Sequence, residues 1–413
     1  MKIIIIGGGA SGLMAAYYAS KNKNCEVILL EQNEKLGKKI YITGKGRCNV
    51  CNACENDEFL KHVLRNPKFL YPSLSDFDPF KLIDLFESLG CPIVVERGRR
   101  AFPKSYKASD ITKALQNAIE KQGVKIKYNS EVVDILQNNG KIHSVLLSSG
   151  EELQCNAVIL ATGGLSYKST GSTGDGYKFL EKFGHNIKPC SPALVPMNSS
   201  AAWIKSLMGI SLKNVELTLK EGKKTLYTEL GEMLFTHFGI SGPLVLSASS
   251  YINNIKNSRI FINLKPGLNY EKLENRILRD IESSPNKSIA SLLQGLYPQR
   301  LAEVMANICN IDGNKKCNSL SKQERRLIIE NTLNFEIPIS SLRDFSEAVI
   351  TRGGADCKEF VPQTLESKLV KGLYVSGELL DIDALTGGYN LFVAFATGRR
   401  AGISASSINE VEV

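Results

Sequence analysis

The first 32 residues constrain this chain more than any other stretch. Ile3-Ile4-Ile5-Ile6 reads as a buried strand, Gly7-Gly8-Gly9-Ala10-Ser11-Gly12 as a tight turn and Leu13 to Ser20 as a helix, with Val27 to Leu30 a second strand that ends at Glu31. This is a complete βαβ unit carrying the Gly-x-Gly-x-x-Gly fingerprint of a dinucleotide site. Gly7 allows the turn, Gly9 lets the backbone approach a pyrophosphate, and Gly12 lets the helix pack on the strand. The phosphates would rest on the N–H groups at the positive end of the helix. Glu31, about 20 residues beyond the last glycine, is placed to accept the ribose hydroxyls of an adenosine, and its charge favours FAD or NAD over NADP.

A chain of 413 residues with 43% hydrophobic content can bury two or three domains around a large core, which excludes disorder. Met1-Lys2 and the isoleucines that follow mimic a secretory signal, but the apolar run is short and opens into glycines. No segment approaches the ~20 apolar residues that span a bilayer. A soluble, cytoplasmic protein is therefore expected, with no membrane partner. Ten cysteines at irregular spacing fit a reducing compartment. The net charge of +9 is spread along the chain without a recurring aromatic-basic motif. It reads as a generic basic surface and a small-molecule substrate rather than a nucleic-acid partner.

Further along, a glycine-punctuated basic loop covers Tyr41 to Asn49, too rich in special residues for a mere connection. Val124 to Tyr128, Glu131 to Leu136 and Ile142 to Leu147 alternate like strands of an antiparallel meander. Ala157 to Ala161 is again fully apolar and ends in Thr162-Gly163-Gly164, a second glycine turn on a buried strand. Pro189, Pro192 and Pro196 mark a boundary, beyond which Val215 to Leu219, Thr225 to Leu230 and Arg259 to Leu264 look like strands. From 268 to 334 the period becomes helical, with Leu273, Ile277, Ile281, Leu292, Leu293, Leu296, Val304, Ile308, Ile329 and Leu333 as its apolar positions. The expected organisation is a first domain over 1–189 and 347–413, a β-rich substrate domain over 190–267 and 335–346, and a small helical domain over 268–334.

The return to the first domain identifies the nucleotide. Strand 373–376 ends at Gly377-Glu378, which can offer a backbone N–H to a pyrophosphate and a carboxylate to ribityl hydroxyls. Gly387-Gly388-Tyr389-Asn390 opens a last helix, from about Leu391 to Ala405, whose positive end can face the flavin N1/C2=O edge and stabilise its reduced anion. A simple NAD dehydrogenase has no use for these two additions, whereas an extended FAD does.

The segments Thr43-Gly-Lys-Gly-Arg47-Cys48-Asn49, Ala161-Thr-Gly-Gly164, Thr170 to Tyr177, Phe235 to Pro243 and Gly377-Glu378 through Asn390 together make the chain resemble the three-domain bacterial flavoproteins of the bile-acid-inducible N protein and aminoacetone oxidase type. The likeness runs from the first residues to the last helix. It implies an α/β fold: a glutathione-reductase-type, Rossmann-like FAD domain interrupted by a β-rich domain with a small nested helical one. It also implies flavin contacts at Gly9, Ser11, Gly12, Glu31, Lys38, Arg47, Val133, Gly163, Glu378, Gly388 and Asn390. Gly7, Ala10, Gln32, Gly46, Cys48, Ala161, Thr162, Gly377, Asp381, Tyr389 and Leu391 complete the expected cofactor set. The names in that family point to reduction of a conjugated enone on a steroid-like acid and to oxidation of a small amine by oxygen; both fit a flavin that trades a hydride at N5.

Three residues are candidates for catalysis. His237, in the glycine-flanked Phe235-Thr-His-Phe-Gly239, could give a proton to a reducing alkene or take one from an amine. Tyr389 lies beside the flavin-facing glycines, and Arg352, like Arg47, could fix a substrate carboxylate or a flavin phosphate, with the cofactor role favoured for Arg47. Cys48-x-x-Cys51-x-x-Cys54 lacks the fourth ligand of an iron–sulfur run, and His62, His143 and His185 are scattered, so no metal is expected. The expectation is an FAD-dependent oxidoreductase. An NAD(P)H-linked enone reductase, with NADH or NADPH as transient donor, is favoured over an amine oxidase and over an RNA-binding flavoprotein.

Overall fold

Four consecutive isoleucines suit a strand that is covered on both faces, because no polar residue marks a wet side. In the computed structural model, which describes residues 1–407, that strand, β1 (Lys2–Ile6), is the centre of a five-stranded sheet. The order is β5 (Leu373–Val375), β4 (Ala157–Leu160), β1, β2 (Glu26–Leu30), β3 (Lys125–Lys127), and every pairing is parallel. Ile3, Ile4, Ile5 and all of β4 are fully buried. The carboxyl ends of these strands all open on one edge, where α/β sheets bind ligands.

Two helices pack on each other beside this sheet: α1 (Ala10–Ala19) and α2 (Tyr389–Ser406). Their closeness depends on small residues. A Cβ on Gly398 would lie 2.1 Å from the carbonyl oxygen of Ser11, and one on Gly402 would lie 2.3 Å from that of Ala15. Gly12 meets the same requirement towards the sheet, since a Cβ there would lie 1.8 Å from the Gly7 oxygen. The last helix is thereby locked onto the fingerprint.

One expected strand has a different partner. Lys125–Lys127 does not open the meander but pairs parallel with β2, reached through the helix Ala108–Lys121. The meander consists of Val132–Asn138, Lys141–Leu147 and Glu152–Gln154. Alternation reports which face of a strand is buried, not which strand lies beside it, and the preceding helix provides the crossover that parallel pairing needs.

Contacts divide the chain into two units: Met1–Pro192 with the segment from Phe345 onward, and Ala193–Asp344. The last six residues of the expected first domain, 408–413, lie outside the described residues. The second unit holds a seven-stranded antiparallel sheet, ordered Phe335–Ile337, Ser258–Asn263, Ser211–Glu221, Lys224–Phe235, Gly239–Ser241, Met197–Ser199, Ile339–Leu342. The helices Tyr270–Ser283, Ile289–Gln294, Gln299–Ile308 and Lys322–Leu333 fall within 268–334. Their Leu273, Ile277 and Leu293 share one apolar core with Leu217, Ile260 and Phe335 of the sheet. Among the described residues no helix is long and apolar enough to cross a membrane.

Candidate cofactor and active site

At the start of α1 the first N–H groups have no acceptor within the helix, and a Cβ on Gly9, its N-cap, would meet nothing within 4 Å. Glu31, 7% exposed, accepts the Gly8 N–H at 2.8 Å, and from Asn33 the main-chain N–H at 2.8 Å and the side-chain amide at 2.6 Å. Lys38 donates to Asn33 Oδ1 at 2.9 Å and pairs with Glu34 at 2.7 Å. Gln32 donates to the Gly171 carbonyl at 2.7 Å, tying the 170s loop to the end of β2. Val133 is half-exposed in a strand whose register slips there, so it has no opposite residue. Buried polar atoms without a partner, Thr162 Oγ1 and Ser376 Oγ, follow β4 and β5, and Gly163 takes φ +74°. Open space before a helix N-terminus, an anchored acid after β2 and unsatisfied hydroxyls at the strand ends fit a dinucleotide such as FAD.

The first and last segments meet at Ser11 and Gly377, where a Cβ on the glycine would lie 2.6 Å from Ser11 Oγ. The Glu378 carboxylate is held by Lys39 Nζ at 2.5 Å, by Ser166 Oγ at 2.9 Å and by the Thr351 N–H at 2.8 Å. It therefore knots four segments together. Lys39, Ser166 and Thr351 were not singled out from sequence. Consecutive residues on a helix diverge by about 100°, and the Lys38–Ile42 helix turns Lys39 towards Glu378 and Lys38 towards Glu34 and Asn33.

Gly388 caps α2, and a Cβ on it would lie 2.6 Å from the main chain of Cys51. Asn390 accepts the Ala384 N–H at 2.9 Å and donates to the Ala384 carbonyl at 2.7 Å, so its amide holds the preceding loop. Leu391 is half-buried beside it. Tyr389 is buried, its ring stacked on His62 with centroids 4.5 Å apart and tilted against Phe59 at 5.2 Å. Arg47 lies over Phe102 at 4.4 Å and pairs with Glu96 at 3.4 Å, next to exposed Gly46. Burial pushes the Cys48 thiol up to about 12 and the Cys54 thiol up to about 11, and it raises Cys51 as well. Neutral thiols are poor nucleophiles and poor metal ligands.

Arg352 is half-buried in the strand Ile350–Ala355, and burial together with the charge of Arg65 lowers its pKa from the usual arginine value. Asp381 and Asp383 follow on the loop after Glu378 and act on the same guanidinium. His237 belongs to the second unit. It is exposed on a turn closed by the Thr236 N–H to the Gly239 carbonyl at 2.9 Å, with Phe238 edge-on to its ring at 5.0 Å. The other named cofactor and catalytic positions all lie in the first unit.

Residues 1–404 match the family described as HI0933-like protein Rossmann domain. A 3-dehydro-bile acid delta(4,6)-reductase of Clostridium scindens is 31% identical, over 98% of this chain and 99% of its own. A ribosomal RNA dihydrouridine synthase of Haemophilus influenzae is 33% identical over 98% of each chain. The solved 3-ketosteroid-delta4-(5alpha)-dehydrogenase from Rhodococcus jostii shares the fold, with a TM-score of 0.54 at 14% identity over 98% of this chain and 96% of that one. The chain belongs to the HI0933-like family of FAD-binding Rossmann oxidoreductases.

Proposed function

We propose that the protein reduces a carbon–carbon double bond conjugated to a carbonyl, with NADH or NADPH as transient donor. The observation that supports this reading is the joining of two distant segments, Gly377 against Ser11 and the start of α2 against Cys51, which suits an extended FAD. Bound FAD would supply a hydride acceptor and donor at N5. The chain's own residues would supply the rest. Gly7, Gly9, Ser11, Gly12 and Glu31 would hold the adenosine diphosphate; Ala161, Thr162, Gly163 and Gly377 would border it at the strand ends. The N-terminus of α2, at Gly388, would favour the reduced, anionic flavin edge. Arg352 would fix the carbonyl or a carboxylate of the substrate, and His237 would deliver the proton to the α-carbon. A steroid-like enone acid is the first substrate to test, in line with the bile-acid enzyme.

The test is the visible spectrum of the purified protein, recorded anaerobically before and after NADH and then NADPH. Flavin bands should bleach and should return on adding a 3-oxo-4,6-diene bile acid. Bands that persist, or peroxide formed with a small amine, would overturn the reading in favour of an oxidase. His237→Ala should slow turnover about a hundredfold while leaving flavin content unchanged.

A second reading has its own support. The turn between the strands Ile93–Glu96 and Arg100–Pro103 exposes Arg97, Arg99 and Arg100, with Lys104, Tyr106 and Lys107 exposed just beyond. Such a cationic, partly aromatic surface suits a nucleic acid. Uracil also carries a double bond conjugated to a carbonyl, so the same hydride and proton addition would give dihydrouridine. Salt-sensitive retention of RNA and a mass gain of two hydrogen atoms in ribosomal RNA, with the bile acid unchanged, would favour it.

A further inference from the structure

A carboxylate offers about four lone-pair sites, two on each oxygen. Glu31 fills three of them within the protein. Its Oε1 accepts two N–H groups of Asn33, the main-chain one at 2.8 Å and the side-chain amide at 2.6 Å. Its Oε2 accepts the Gly8 N–H at 2.8 Å, and glycine is needed there, because a Cβ on residue 8 would lie 3.0 Å from the same oxygen and 2.3 Å from a Leu36 methyl. Glu31 is buried, and among the described residues no fourth donor reaches its carboxylate. The donor on Oε1 is itself held. Lys38 Nζ donates to Asn33 Oδ1 at 2.9 Å, and Asn33 Nδ2 also donates to the Thr170 carbonyl at 3.2 Å. With an ammonium on one side and a carboxylate on the other, only one orientation of the Asn33 amide satisfies both. The main chain of Glu31 is fixed as well, its N–H donating to the Lys127 carbonyl at 2.9 Å and its carbonyl accepting the Ser130 N–H at 2.9 Å. A ligand at the end of β2 therefore meets a carboxylate that is held in place, with one acceptor position left, on Oε2.

We propose that Asn33 makes Glu31 a reader of a single ribose hydroxyl. The ribose of an adenosine presents a 2′ and a 3′ hydroxyl, and a carboxylate with both oxygens open can accept one on each. Here Oε1 is closed by Asn33, so one hydroxyl donates to Oε2 and the other finds no acceptor on Glu31. Asn33 is thus a positioning residue, which acts on the nucleotide through the carboxylate that it holds. Its amide gives the closure a removable part, since a substitution at residue 33 takes away the side-chain donor and leaves the main-chain one. The proposal rests on the adenosine of FAD lying at Glu31. It does not depend on the reduction or on the substrate.

The test is flavin affinity, read as quenching of flavin fluorescence on titration into the full chain stripped of its cofactor. FAD is compared with two analogues whose adenosine lacks the 2′ or the 3′ hydroxyl. One analogue alone should bind about tenfold more weakly than FAD, as for the loss of one hydrogen bond to a charged group, and the other should match FAD. In Asn33→Ala the amide leaves Oε1 and opens a place for the second hydroxyl, so the analogue that matched FAD on the parent should there bind about tenfold more weakly than FAD. Equal losses with both analogues on the parent, or no loss with either, overturns the proposal, and neither result needs a variant to fold. Glu31→Ala separates the proposal from its premise. If FAD binds that variant as tightly as the parent, the adenosine does not lie at Glu31 and the proposal falls with its premise. If FAD binds it more weakly while the parent loses equally with both analogues, only the reading of a single hydroxyl falls.

Discussion

Glu31 and Asp383 are both carboxylates sealed inside the first unit, yet their surroundings are opposite. Glu31 ends a strand beside a turn, and three N–H donors from Gly8 and Asn33 converge on it. Asp383 sits on a loop whose amide groups point elsewhere, with Arg65 3.3 Å away and the Asp381 carboxylate on the same loop, and it makes no hydrogen bond. Donors supplied by the chain satisfy a buried acid and fix it in place. An opposite charge that gives no hydrogen bond leaves the acid able to change state. One carboxylate is a fixture and the other a switch, and the difference lies in the local amides rather than in depth.

The contrast can be broken most severely at the fixture. Glu31→Arg would set a cation against three donors, and flavin retention should fall by on the order of 4 kcal/mol; the ratio of flavin to protein absorbance in the purified variant checks it. At the switch the sign reverses. Asp383 titrates at about 6 in the folded chain against 3.8 for an ordinary aspartate. The folded protein therefore holds the extra proton between those values, and stability falls as pH rises through them. The ionised acid costs about 3 kcal/mol at neutral pH. Asp383→Asn should accordingly raise stability at pH 8 and leave it unchanged below pH 4, as read by denaturant unfolding at the two pH values. A mixed case sharpens the rule. Glu378 has one main-chain donor, one hydroxyl and one lysine, and Glu378→Gln should cost only about 1 kcal/mol, measured as a small drop in Tm.

What the sequence disclosed follows the same division. The fingerprint, β1, β2 and Glu31 were legible because strand, turn, helix and acid lie within 32 consecutive residues and each constrains the next. The strand Leu373–Val375 and the helix after Gly388 were legible for the same local reason. Arg65 was passed over because nothing near it signals a site; its partners stand more than 300 residues away and meet it through a single bridge at Val63 and Ala384. Lys39 was hidden by its neighbour Lys38. Glu378 was recognised, but a free carboxylate and one claimed by Lys39, Ser166 and Thr351 read identically in one dimension. Likewise Lys125–Lys127 shows its alternation but not that its neighbour is β2.

Gly398 and Gly402 also bear on how the protein is made. Because their missing side chains let α2 lie directly on α1, the proposed flavin cradle joins a segment made early in synthesis to one made much later. A nascent chain that has emerged as far as Pro192 carries the whole fingerprint but neither Gly377 nor α2. Cofactor loading should thus be a late event in biosynthesis, and a bound yellow chromophore would report that the two distant parts of the polypeptide have found each other.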